Sequence, residues 1–510
     1  MNAPEPQPAG LSSRSGAPAA DSGGLRDKVG GGLGWSFANN VAARIANVAI
    51  GVVLARLLVP QDYGIFAASS IVLTAALSMN ELGVSLAVIR WPGSPARIAP
   101  TVTTLALAWS GILYAACFFT APLVASSLGS PHATTLIRVM GLAILMDAVA
   151  SVPAALLTRA FRQRQRMAID LACILLNAVV SIGLAVIGFG PWALVWGFLT
   201  SSLLSGLLTF WWAPERYRPG FDRTVVGELL RFGLPLAGAS ALLFLTLNVD
   251  YAVVGHQLGA VQLGFYTLAF NLCSWPVNLV SVAIRRVSFA GFSRLTEGDE
   301  DSGGAFVTAF ALVLALTVPM CALLGVYARA AIGVLYGDRW LPAADALMLM
   351  CVLGAVRVVL ELGYDYLAAI GRTADNLLLQ GLWFLVLIPV LTVGADVDGI
   401  RGVAAGHAVV AVVIILPVFL VLAHRNGIRL WAIARLSGRP LLAGLVVVGS
   451  GLLLSRYLPG GPVVALIVGG TVSGALALLV VLPMRRLVRP ALAVIPSESA
   501  PVPAPTEVLG

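Results

Sequence analysis

The chain has 510 residues, of which 59% are hydrophobic and 11% charged, and its mean hydropathy is +0.92. Soluble proteins carry roughly a quarter charged residues, so composition excludes a soluble enzyme and implies an all-α integral membrane protein. The net charge of +8 is almost wholly arginine, since Lys28 is the single lysine; the arginines sit in short loops between apolar stretches, as the positive-inside rule requires, not on a nucleic-acid surface.

Residues 1–32 are rich in Pro, Ala, Gly and Ser and lack an apolar run, which predicts a disordered cytoplasmic tail and no cleavable leader. A hairpin follows, with apolar helices over 33–58 and 63–89 joined within LARLLVPQDYGIFA (54–67). Each exceeds the ~20 residues that cross a hydrocarbon layer. Val59-Pro60 stops the first helix, and Asp62 is placed to cap the second. Further helices are expected over 98–127, 133–158, 167–188, 190–213, 228–256, 261–284, 304–336, 342–370, 374–395, 399–423, 437–457 and 462–483. The only break between 167 and 213 is Gly188-Phe189-Gly190-Pro191, a strong turn signal. Residues 214–227 read as a cytoplasmic linker and 489–510 as a second disordered tail.

An even number of spans puts both termini on one side. With the N-terminus cytoplasmic, the outer ends hold only Arg56, Arg138, Arg329, Arg339, Arg401 and Arg456 out of 32 cationic residues. Most of the others fall at inner ends, a bias that supports both the count and the orientation. The five cysteines all lie in apolar stretches, without C-x-x-C spacing or a histidine cluster. They read as small buried hydrophobes, and neither a metal nor a cofactor is expected.

The hairpin recurs. LVPQDYGIFAA (58–68) aligns with the start of LGAVQLGFYTLA (258–269) at an offset of 200, matching Leu58 with Leu258, Gly64 with Gly264 and Phe66 with Tyr266. Six helices (33–213) followed by six related ones (228–423), with two appended (437–483), is the natural division. Both sixes begin inside, so the repeat is parallel, and such a pair of lobes encloses a central cleft.

The stretch GWSFANNVAARIANVAIGVVLARLLVPQDYGIFA (34–67) resembles the opening signature of bacterial polysaccharide-export flippases, within the multidrug/oligosaccharidyl-lipid/polysaccharide exporter superfamily. The pattern ARxLxPxxYGxF stands here as Ala55-Arg56, Leu58, Pro60, Tyr63-Gly64 and Phe66. The resemblance implies two six-helix lobes around a cationic cavity in the cytoplasmic (inner) membrane. It implies a polyprenyl-diphosphate-linked oligosaccharide as substrate, moved by alternating access without nucleotide hydrolysis. No Walker A motif is found.

Several polar groups lie inside the expected spans, where charge is costly. Asn40, Arg44 and Asn47 share one face of the first helix; Ser78, Glu81 and Ser85 share one face of the second. Arg44 and Glu81 each lie roughly 12–17 Å deep at about 1.5 Å per residue. They read either as a structural ion pair or, for Arg44, as a cavity guanidinium that grips diphosphate. Asn40 and Asn47 would add hydrogen bonds to sugar or headgroup. Arg56, at the outer mouth, reads as a headgroup anchor or a guide for the released diphosphate. Arg357, Glu361 and Asp365 form a second stripe at i, i+4 and i+8, either a coupling site for H+ or Na+ or a neutral strut. Asp147 lacks a partner near it in sequence, so it pairs with Arg44 or titrates, and Asp250 lies toward the outer side with Thr246 one turn before it. His256 and His407 have intrinsic pKa values suited to proton coupling, though a lone histidine near a helix end is commonly structural.

These features point to a lipid-linked oligosaccharide flippase for capsule, exopolysaccharide or O-antigen-type glycan, in contact with membrane lipid and with a glycan polymerase as a candidate partner. A cation-coupled drug-type exporter and a lipid II flippase of the same superfamily are the alternatives. A membrane-embedded glycan polymerase would need a sizeable outer loop with catalytic residues, and no outer loop is long.

Overall fold

The structure, a computed structural model, describes residues 46–80, 88, 95–160, 162–292, 302–457 and 461–485. It divides into two units, Met1–Val48 and Ala49–Gly510. Of the first, only 46–48 are described; they are helical, with Asn47 exposed. Within the second, every regular element among the described residues is a helix.

Helix α1 (49–57) turns at Val59 into α2 (Pro60–Asn80). Proline suits the first helical position because its missing N–H would be unpaired there anyway. Asp62 stabilises this start by accepting the Val59 N–H at 3.3 Å, the reach-back half of a capping box. Next come α3 (Ala99–Ser127), α4 (Ala133–Met140) and α5 (Leu142–Arg159). The single helix expected over 133–158 runs through Gly141, whose backbone stays in the right-handed helical region. A Cβ there would stand 3.0 Å from the Tyr114 ring, so the missing side chain admits that ring.

Helices α6 (Gln163–Ile187) and α7 (Pro191–Trp212) meet at the expected turn, where Gly188 and Gly190 take φ of 90° and 55°, values that side chains disfavour. The linker after α7 is docked. The Gly220 N–H donates to Pro100 O at 3.1 Å, the Thr104 hydroxyl to Gly220 O at 2.6 Å and the Asp222 N–H to Thr101 Oγ1 at 3.0 Å. Hydrogen bonds from the Thr224 hydroxyl and amide hold the Asp222 carboxyl below the usual carboxylate range.

Helix α8 (Arg223–Phe292) folds back on itself at Gly259, with φ 80°. It is followed by α9 (Ser302–Val326), α10 (Ala328–Leu335) and α11 (Ala343–Ala369). The expected helix 304–336 is therefore split at Tyr327. Helix α12 (Thr373–Val409) folds back at Asp398–Gly399. A π-helical segment, Val410–Ile415, leads into α13 (Leu416–Arg425). Helix α14 (Leu430–Tyr457) begins well before the expected residue 437, because Arg435 and Arg439 extend the helix rather than interrupt it. A last run comprises α15 (Gly461–Val464), a π-helical turn and α16 (Gly470–Val481). It joins α14 and the start of α10 through a relay in which Tyr327 Oη and Ser450 Oγ both contact Ser473 Oγ, at 3.0 and 2.9 Å.

Among the described residues, ten helical runs are long and apolar enough to cross a membrane, with α4–α5, α12–α13 and α15–α16 each taken as one run. The exposure pattern agrees. Leu175, Val179 and Val186 on α6 and Leu441, Leu445 and Leu452 on α14 are exposed at matching helical spacing. Stripes of this kind mark a lipid-facing surface, since in water they would aggregate. The interior is packed around aromatic side chains, with Trp340, Tyr266, Tyr366, Phe306 and Phe419 the largest fully buried ones.

Candidate functional site

The polar side chains within the spans form two clusters. In the first, Asn80 at the end of α2 is buried and donates from Nδ2 to Asp147 Oδ2 on α5 at 2.9 Å. The Ser110 hydroxyl on α3 donates to Asn80 Oδ1, and Trp109 Nε1 donates to Met79 O at 3.0 Å. Asn80 is therefore held at both ends of its amide, and it fixes a carboxylate that is itself exposed. Asp147 thus has a neutral partner that sequence reasoning does not find. Asn80 and Ser110 lie on different helices, and single polar residues carry no pairing signal. Arg44, Asn40 and Glu81 lie outside the described residues. Ser78, read as part of a polar face, bonds back to Ala75 O at 2.7 Å.

The second cluster is assembled from α8, α11 and α12. Asp250 is 1% exposed, yet a buried carboxylate needs partners. Tyr266, across the fold of α8, donates its hydroxyl to Asp250 Oδ2 at 2.8 Å. His407 Nδ1 stands 3.8 Å from the same oxygen, too far for a hydrogen bond in this geometry, and has no other partner among the described residues. The Trp383 ring meets His407 edge-on at 6.2 Å, and its Nε1 likewise has no hydrogen-bond partner among the described residues. His407 lies just ahead of the π-helical segment, an irregularity frequent at functional sites.

Arg357 lies on α11, which packs against both α8 and α12. Its Nε is 3.4 Å from Glu361 Oε1, with the two side chains 32% and 38% exposed. Its guanidinium sits 5.9 Å from the Phe270 ring, at the outer range of a cation–π contact. Phe270 in turn packs edge-on against Tyr251, and Tyr251 against Tyr266. The expected stripe therefore holds as one face of a continuous helix, and its first two members pair. Asp365 is partly buried one turn further on. A guanidinium and a carboxylate midway along an apolar helix, both partly exposed, would be costly against acyl chains. They must face water or a polar ligand. Among the described residues, no His, Cys, Asp and Glu side chains gather as a metal site.

Arg56 stands elsewhere. Its Nε donates to Leu335 O at 2.8 Å and its guanidinium also bonds Val334 O, both at the end of α10.

Two polar clusters thus lie among the apolar helices of the described residues. A family model described as polysaccharide biosynthesis protein matches residues 53–345. The chain belongs to this family. The chain is 26% identical over 419 residues to the succinoglycan biosynthesis transport protein ExoT of Rhizobium meliloti (strain 1021), covering 81% of this chain and 82% of that one. It is 24% identical to the lipopolysaccharide biosynthesis protein WzxC of Escherichia coli (strain K12), over 76% and 80% of the two chains. Its fold is that of the solved lipid II flippase MurJ in an inward closed conformation, with a TM-score of 0.72 at 14% identity, over 89% of this chain and 98% of that one. A multidrug MATE transporter of the MOP superfamily, facing inward, matches with a TM-score of 0.57 at 17% identity over 78% and 94%.

Proposed function

We propose that this protein is a flippase that carries polyprenyl-diphosphate-linked oligosaccharide units from the cytoplasmic to the outer leaflet by alternating access. The observation that carries this reading is the family match over residues 53–345. Relatives that align along most of their length are a succinoglycan transport protein and a lipopolysaccharide biosynthesis protein, which supports a glycan substrate. The chain spans the membrane fourteen times, in two six-helix lobes (33–213 and 228–423) with two helices appended (437–483) and both termini cytoplasmic. The fold-backs at Gly259 and Gly399 support that count, because each divides one unbroken helical run into two antiparallel limbs.

In this reading Arg44 meets the diphosphate, Asn40 and Asn47 contact sugar or headgroup, and Glu81 balances Arg44. Coupling to H+ or Na+ involves Arg357, Glu361, Asp365, Asp147 and Asp250, and a glycan polymerase takes the product. The test is complementation of a glycan-export mutant. Wild type restores surface glycan, and Glu361→Gln or Asp365→Asn changes how export depends on external pH. If wild type fails to complement mutants in several such glycans, the reading is wrong; unchanged pH profiles in both variants remove the coupling role alone.

A further inference from the structure

The signature ARxLxPxxYGxF and its partner 200 residues later do something that export alone leaves unassigned. Helix α2 crosses the second limb of α8 with backbone on backbone. A methyl group on Gly64 would overlap the carbonyl of Ala260, and one on Gly264 would overlap the carbonyl of Pro60. At an offset of 200, Gly64 corresponds to Gly264 and Pro60 to Ala260. One contact is thus made twice, the isologous pattern of a twofold interface.

The flanking residues repeat it. Arg56 bonds the carbonyls of Val334 and Leu335, at the end of α10. Its counterpart His256 places Nδ1 2.6 Å from Ser127 O, at the end of α3. One residue earlier, the Ala55 carbonyl accepts from Trp340 Nε1 at 2.8 Å. Its counterpart, the Gly255 carbonyl, lies 2.6 Å from where a Cβ of Gly129 would stand. Each copy of the hairpin therefore reaches into the other half of the chain. Helix C-termini offer unpaired carbonyls at the negative end of the dipole, so a guanidinium or an imidazole N–H is a suitable group to meet them.

We infer that these reciprocal contacts are the gate that seals the outer side of the transporter, with Gly64 and Gly264 as its seat and Arg56 and His256 as its two latches. The assignment of "outer" rests on the orientation proposed above. Both latch residues are exposed, so water replaces each bond when the halves part. A net cost that small suits a contact that must open and close in every cycle. Arg56 then acts on the gate rather than on the diphosphate.

The test uses Ala68→Cys in the full chain, in intact cells, with a membrane-impermeant maleimide added outside; the chain with only its native cysteines is the blank. Ala68 lies one turn inward from Gly64 and is 0% exposed. Labelling is normalised to membrane-inserted protein. Arg56→Gln and His256→Ala each speed labelling at position 68 by about tenfold, as the loss of a charge-assisted or short hydrogen bond predicts, and Arg56→Lys brings it back toward wild type. Gly64→Ala and Gly264→Ala give the largest and matching increases. Gly183→Ala, which meets nothing within 4 Å, changes nothing. In inverted vesicles the same variants do not speed labelling, whereas general loosening of the fold would. Unchanged labelling in all four gate variants, a response from only one glycine of the pair, or equal acceleration from both sides overturns the proposal. Labelling needs no glycan. A correct gate response in a chain that fails to restore export therefore refutes the flippase reading and leaves the gate standing.

Discussion

Trp340→Ala is expected to cost roughly 3–5 kcal/mol of stability, the range for deleting a fully buried large aromatic side chain. Trp340 is 0% exposed. Its ring meets Tyr63 edge-on at 5.1 Å and Phe265 at 6.0 Å, and its Nε1 bonds Ala55 O. It thus joins α1, α2, α8 and the turn before α11 with one side chain. Truncation empties that space and leaves the Ala55 carbonyl without its donor. Trp340→Phe keeps most of the volume and loses the hydrogen bond, so it should cost about 1–3 kcal/mol. Thermal unfolding in detergent, followed by intrinsic fluorescence or by aggregation, ranks the two. Equal stability of Trp340→Ala and wild type would show that this junction adds nothing to the stability of the folded state.

Arg44→Ala is expected to abolish glycan export, with Arg44→Lys retaining a fraction. The physical reason is geometric as well as electrostatic. A guanidinium stays charged and presents paired donors to a phosphate, whereas an ammonium is a single point charge. Removing one partner of a desolvated charge pair costs about 2–5 kcal/mol, at least a tenfold loss at about 1.4 kcal/mol per decade. Surface glycan in the complemented mutant, at matched protein abundance, is the readout. Normal export by Arg44→Ala would move the substrate site elsewhere while leaving the family unaffected; Arg357, on a different helix, is then the cation to test next.

The helical architecture is legible because it is written in local signals: apolar runs, the glycines at 188 and 190, and the proline at 60. The offset of 200 is read from three matched residues, and in the structure Gly64 and Gly264, paired at that offset, meet each other's flanking backbone. What escapes the sequence is partner choice. Nothing near Asp250 points to His407, more than 150 positions away. Backbone carbonyls at a helix end, which Arg56 and His256 engage, have no residue signature at all. Helix breaks escape it for a related reason. Tyr327 sits in a run whose composition continues the helix, yet α9 and α10 divide there, where its hydroxyl meets Ser473.

The most direct measurement is leaflet transfer in purified proteoliposomes loaded with a polyprenyl-diphosphate-linked oligosaccharide, its glycan probed from one side by a lectin or glycosidase. If the protein is a flippase, the protected fraction falls with time, faster than in protein-free liposomes, and Arg44→Ala returns it to the protein-free rate. Transfer no faster than in empty liposomes, under imposed proton, sodium and electrical gradients alike, would contradict the account.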